Sequence, residues 1–167
     1  MEAVQANPVL EFSNLWRVAG VPKTLAQNWT NGRPIRLPAS ISQADGKGSR
    51  NLYNVEDAYL LAYLNAARQQ GMSSDALERI FFMLTVPLER GPLRRKLASD
   101  DWLAISVTKY AVVEHGIEKS KNTPNLVISP LEVSDFHDSV AVLVAVNLKS
   151  LRSGVDARAQ RLIKKTR

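Results

Sequence analysis

The hydrophobic repeat of this 167-residue sequence changes near Asp101, and that change limits the chain to a mixed architecture. Before it, apolar residues recur at the three- and four-residue spacing of helices, with glycine and proline between the segments. After it, a branched aliphatic residue occupies every second position of 103–107 and 140–146, as in strands. The last segment, 148–165, returns to helical spacing. The pattern predicts an α+β chain: a helical bundle, then a small antiparallel β-sheet with a C-terminal helix.

Two short helices joined by a glycine are predicted near the start of the chain. Ser13 is a suitable N-cap for the first helix, and Gly20 can adopt the left-handed conformation that ends it. Pro22 favours the start of a second helix over 22–30. This order is typical of a helix-turn-helix.

A glycine- and proline-rich segment, 32–50, follows the second helix and lacks helical spacing. Ile35 and Leu37 could pair with Leu52 in a small hairpin, the usual form of a wing. Longer helices are predicted over 55–70 and from Ser73 onward.

Positive charge is concentrated in two segments. The chain carries a net charge of +6 and has a pI near 9.8, which favours an acidic partner, with nucleic acid ahead of membrane. Residues 13–50 hold six Lys or Arg side chains against Asp45 alone. The C-terminal helix is also basic, with Asp156 as its one carboxylate. Cations on a helix-turn-helix and wing would neutralise phosphates and release counterions.

Three motifs occur in order: Leu15–Leu25 (LWRVAGVPKTL), Ser49–Asp57 (SRNLYNVED) and Gln69–Ser73 (QQGMS), the last followed by apolar residues at helical spacing. Together they resemble the DNA-binding domain of the mercury-resistance-regulator (MerR) family. The similarity covers residues 12–84, about half of the chain, and implies a winged helix-turn-helix. We therefore expect a DNA-binding domain at 1–86, a linker at 87–100 and, at 101–167, a β-rich unit for dimerisation, effector or partner binding.

The sequence also departs from the family pattern. Asn28-Trp29 stands where the family has an aromatic pair, and the wing segment is longer than usual. Pro87, Gly91 and Pro92 interrupt the helix that would continue into the family's dimerising coiled coil. The chain has no cysteine, which excludes a metal-thiolate sensor. The resemblance supports the DNA-binding module and not a metal-responsive activator.

The resemblance and the charge together predict the contact residues. The exposed side of helix 22–30 would contact base edges in the major groove, because Gln and Asn can pair with adenine and Lys can reach guanine. The wing 32–50 would contact phosphates or the minor groove. Arg50 could contact a phosphate or brace the wing through a carboxylate such as Asp57. The predicted DNA-binding residues are Arg17, Lys23, Thr24, Gln27, Asn28, Arg33, Arg36, Lys47 and Arg50.

Other kinds of site have little support in the sequence. The segment Asp135–Asp138, which contains His137, matches no strong metal-ligand spacing, and His115 is isolated. No phosphate-binding glycine loop or nucleophile elbow is present. We therefore expect no enzyme activity, no metal and no cofactor. The apolar run 140–146 is too short to span a membrane, and no signal-peptide pattern opens the sequence, so a cytoplasmic location without membrane contact is expected.

The leading functional expectation is a sequence-specific transcriptional regulator that binds double-stranded DNA. An excisionase-like DNA-architecture or recombination factor and a protein–protein interaction module remain as alternatives. The C-terminal helix carries an apolar stripe that needs a cover, which favours a homodimer through the C-terminal unit over a second DNA contact. The stripe consists of Leu148, Leu151, Val155 and Leu162.

Overall fold

A computed structural model describes residues 8–44, 50–85, 97, 102–108, 125–130 and 140–166. The chain divides into two compact units, one formed by 1–65 together with 150–167, the other by 66–149. Helices and antiparallel strands are both present, so the predicted α+β class is confirmed. In chain order, the elements are β1 (Leu10–Glu11), α1 (Phe12–Ala19), α2 (Lys23–Thr30), β2 (Leu52–Tyr53), α3 (Val55–Gln69), α4 (Ser74–Thr85), β3 (Trp102–Thr108), β4 (Asn125–Pro130), β5 (Val140–Asn147) and α5 (Leu148–Thr166).

The first two helices are joined by the predicted glycine turn. Gly20 has a φ of 70°, in the left-handed region that favours glycine, and its N–H donates to the carbonyl of Arg17. The prediction that Ser13 caps α1 is wrong, because α1 begins at Phe12 with Glu11 at its N-cap. Residues 10–11 form β1, so the helix starts directly after a strand and Ser13 lies inside it. Helix α2 begins one residue after Pro22.

The segment between α2 and α3 is tied to the bundle by Leu52. In the two-stranded sheet, Leu10 pairs with Tyr53 and Glu11 with Leu52. Leu52 also bridges Ser42, with its N–H donating to the Ser42 carbonyl over 2.8 Å. The predicted pairing of Leu52 with residues 35 and 37 is therefore wrong.

Ile35 and Leu37 are core residues and not strand partners. They are 1% and 2% exposed, and the N–H of Leu37 donates to the carbonyl of Trp29. Burial of these two branched side chains fixes the start of the segment against the bundle.

Helix α3 begins with a reciprocal cap between Asn54 and Asp57. The Asn54 side-chain oxygen accepts from the Asp57 N–H over 3.0 Å, and the Asp57 carboxylate accepts from the Asn54 N–H over 2.9 Å. The Ser40 hydroxyl also donates to this carboxylate. Asp57 is fully buried, so it joins the helix start to the preceding loop.

The second unit contains α4 and a three-stranded antiparallel sheet in the order β4–β3–β5. Helix α4 lies against β4. Opposite Leu103, Ile105 and Val107 lie the β5 positions 146, 144 and 142, so the alternating aliphatic positions share one face. This confirms the predicted change of period. The predicted linker at 87–100, apart from Leu97, falls outside the residues that the structure describes.

From Ser150 onward, α5 belongs to the first unit, which differs from the predicted grouping of 101–167. The hydroxyl of Tyr59 on α3 donates to Asp156 over 2.6 Å. Val155 is fully buried and Ala159 nearly so. The apolar stripe of α5 is therefore covered in part within the chain, with Leu148 also buried and Leu151 and Leu162 half-buried. The homodimer through the C-terminal unit stays a prediction.

Candidate nucleic-acid interface

Helix α2 presents four polar side chains to solvent. Lys23, Thr24, Gln27 and Asn28 are all exposed. Positions i, i+1, i+4 and i+5 lie on one side of a helix, so the four form a continuous surface, here called the α2 face. The exposure predicted for these side chains is confirmed.

The opposite side of α2 anchors the helix. Ala26 is fully buried and Trp29 is 1% exposed, so the helix cannot rotate about its axis without exposing both. Leu25 and Trp16 are both half-buried. The α2 face is consequently held in one orientation relative to α1.

The segment after α2 exposes two more predicted contact residues. The N–H of Arg33 donates to the carbonyl of Asn28 over 2.9 Å, which fixes the chain as it leaves α2. Both Arg33 and Arg36 are exposed. Because Ile35 and Leu37 are buried on either side of it, Arg36 lies on the outer side of the segment. Lys47 lies outside the described residues.

Arg50 braces the segment through Glu11, and not through Asp57 as the sequence suggested. Its Nη1 lies 2.7 Å from both carboxylate oxygens of Glu11. The two side chains are 70% and 41% exposed, so the pair contributes less than about 1 kcal/mol to stability. The exposed guanidinium retains further N–H donors for a second anion.

Arg17, on the exposed side of α1, stacks on an aromatic ring. Its guanidinium carbon lies 5.1 Å from the centre of the Trp16 ring, within the range of a cation–π contact. Arg17 also lines a cleft with Arg158 and Arg161 of α5. These two arginines were not among the predicted contact residues. Their spacing of three on a basic helix was the available signal, but nothing local showed that α5 packs beside α1.

The two units differ in charge. Residues 1–65 and 150–167 contain twelve Lys or Arg and six Asp or Glu, whereas 66–149 contain ten of each. The whole net charge of +6 therefore resides in the unit that carries the α2 face. A field of this sign raises the local concentration of polyanions and speeds their association.

Within the described part of the chain, no three His, Asp or Glu side chains group as metal ligands would. His115 and His137, the two histidines of the sequence, lie outside it.

Among the helices that the structure describes, none combines the length and apolar character needed to cross a membrane. No protein-family model matches the sequence, and the comparison with curated proteins finds no significant match.

Proposed function

We propose that the first unit is a winged helix-turn-helix and that the protein is a sequence-specific regulator that binds double-stranded DNA. Helix α2 lies in the major groove, and the segment 32–50 contacts the backbone or the minor groove. The observation that carries the proposal is the α2 face: four exposed polar side chains on a short helix held by a buried tryptophan.

The chemistry of the α2 face suits base edges. Gln27 and Asn28 each offer an amide donor and acceptor, the combination that pairs with adenine N6 and N7. Lys23, at the first position of α2, can reach guanine acceptors or a phosphate. Each well-formed bidentate contact discriminates against the wrong base by about 1–3 kcal/mol.

The placement of cations supports backbone contact around this face. Arg33 and Arg36 follow α2 directly and are exposed, and Arg17 is exposed on α1. Phosphate contacts by such side chains set register and supply the salt-dependent part of affinity.

Selection of bound sequences from random duplex DNA at two salt concentrations tests the proposal. We expect one enriched motif. The logarithm of the affinity for that motif should fall linearly with the logarithm of the salt concentration. Lys23→Ala should weaken binding to the selected duplex by about tenfold, the loss of about 1.4 kcal/mol.

Gln69→Ala is the matched control, because Gln69 is exposed in the last turn of α3, outside the α2 face. It should bind the selected duplex as the unaltered protein does. Failure to enrich any duplex at low salt, with recovery of an acidic protein instead, would favour the interaction-module alternative.

A further inference from the structure

A cleft between α1 and α5 is lined by three arginines. Its accessible volume is about 220 Å³, and its lining residues are Arg17, Val18, Arg158, Arg161 and Leu162. All five belong to the first unit. The lining contains no carboxylate, so the three positive charges are not neutralised by the residues that form the cleft.

Arg158 is held in the cleft by two hydrogen bonds to α1. Its Nε donates to the carbonyl of Val18 over 2.7 Å and its Nη2 to the carbonyl of Ala19 over 3.2 Å. These carbonyls end α1, where the helix dipole favours a cation. A guanidinium has five N–H groups, so these two bonds leave others available to a ligand.

The position of Arg158 depends on the neighbouring glycines. A Cβ at Gly20 would lie 3.0 Å from Cζ and Nη2 of Arg158, and one at Gly154 would lie 3.3 Å from Nη1. The guanidinium therefore occupies space that these two glycines leave open. The guanidinium of Arg17 is held by its contact with the Trp16 ring.

The electrostatics of the cleft favour an anion. Partial burial and the like charge of Arg161 both lower the pKa of Arg158, burial having the larger effect. Val18 and Leu162 form apolar walls, and a lower local dielectric strengthens attraction to an opposite charge. An anion in the cleft would relieve the repulsion among the arginines and accept their free N–H groups.

We propose that Arg17, Arg158 and Arg161 form a binding site for a phosphate-type anion. The cleft can take a backbone phosphate of bound DNA or a free phosphorylated ligand, because both present the same tetrahedral oxygens to guanidinium groups. Arg158 hydrogen-bonds to the end of α1, and three residues separate Ala19 from the start of α2. The backbone source rests on the proposed function, whereas the free-ligand source does not.

Titration with pyrophosphate tests the free-anion source. We expect saturable binding by calorimetry, weakened at least fivefold in Arg161→Gln and partly restored in Arg161→Lys. Arg161 is exposed, so these substitutions leave the core intact, which circular dichroism checks. Arg68→Gln is the matched control, an exposed arginine in the last turn of α3.

Binding to the selected duplex tests the backbone source. Arg161→Gln should reduce the slope of log affinity against log salt by about 1 while the preferred sequence stays the same. Weaker pyrophosphate binding or a smaller salt slope in Arg161→Gln supports the anion site and identifies its source. Indistinguishable behaviour of Arg161→Gln and the unaltered protein with both probes overturns it. If the unaltered protein binds no duplex, the proposed function fails, and the pyrophosphate result alone decides the anion site.

Discussion

Gly20 carries two separate constraints, one from its backbone and one from Arg158. Its φ of 70° is strained for any other residue, and an added Cβ would approach the Arg158 guanidinium to 3.0 Å. We expect Gly20→Ala to lower the free energy of unfolding by about 2–3 kcal/mol, from backbone strain and weakened hydrogen bonds to the α1 carbonyls. Urea denaturation measures the loss.

Gly71→Ala separates the two constraints. Gly71 has a φ of 90° and nothing within 4 Å of an added Cβ, so this variant bears only the backbone strain. Gly20→Ala should be the more destabilising change, and the excess should disappear when Arg158 is also replaced by alanine. Equal losses in the two single variants would contradict the role given to Arg158.

Asp57 joins the start of α3 to the loop before it. The buried carboxylate accepts from the Ser40 hydroxyl and the Asn54 N–H. Asp57→Ala should lower the free energy of unfolding by about 2–3 kcal/mol. The helix loses its cap, and the Ser40 hydroxyl and the Asn54 N–H lose their acceptor. Asp75→Ala, at an exposed carboxylate in the first turn of α4, should lose under about 1 kcal/mol by the same urea assay. A similar loss in both variants would show that the Asp57 contacts contribute little.

The association of α5 with the first unit can be tested through Val155. This side chain is fully buried in the middle of α5. Val155→Ala removes two methyl groups and leaves a small cavity, so a loss of about 2 kcal/mol is expected in urea denaturation. Ser153→Ala, two residues away at an exposed position, should be within about 0.5 kcal/mol of the unaltered protein. Equal stability of the two variants would contradict the packing of α5 described above.

Three tyrosines, one just before α3 and two within it, make the stability of the fold depend on pH in the alkaline range. Burial raises the pKa of Tyr53, Tyr59 and Tyr63 above the usual value of about 10, and for Tyr59 the hydrogen bond to Asp156 adds to the effect. Below a pH of about 10, the phenols are protonated in both the folded and the unfolded chain, so their contribution to the free energy of unfolding is fully present. Above it the unfolded chain loses protons that the folded chain retains, so stability falls as pH rises. The urea midpoint should drop between pH 9 and pH 11; an unchanged midpoint would contradict this.

Tyr63→Phe supplies a matched variant for that experiment. Among the described residues, no hydrogen-bond partner reaches the buried Tyr63 hydroxyl. Its removal should therefore leave stability at pH 7 unchanged or slightly higher, and should reduce the alkaline loss. A large loss of stability at pH 7 would indicate an unrecognised partner for the hydroxyl.

Elements set by local signals were predictable from the sequence. The glycine at 20, the helical spacing of 55–69 and the alternation of 140–146 depend on neighbours a few residues away, and the structure has each. The Asn54–Asp57 cap was also visible as a polar pair three apart before an apolar run, although it was not predicted.

Contacts between distant residues were not predictable in the same way. In the sequence, several apolar residues were possible strand partners for Leu52. Its actual partners, Glu11 and Ser42, are set by the packing of the whole bundle. Arg50 pairs with a carboxylate 39 residues away, and Tyr59 with one 97 residues away. The α2 face could be predicted because helical periodicity fixes it. The arginine cleft could not, because it exists only where α5 returns to α1.

The distribution of charge connects the fold to the proposed function. The net charge of +6 falls in the first unit, and the return of α5 adds its cations to that unit. Cations from both ends of the chain thus belong to the unit that carries the α2 face, while 66–149 are neutral overall. The positive charge of the first unit suits polyanion binding, and the neutral second unit is suited to a different role.

Repeating the duplex selection with Asn28→Ala tests most directly whether α2 contacts bases. The account predicts that the variant loses its preference at one base position, with a discrimination change of about 1–3 kcal/mol, and keeps the salt slope of the unaltered protein. An identical motif from both proteins, or a loss spread evenly over all sequences, would contradict base contact by the α2 face.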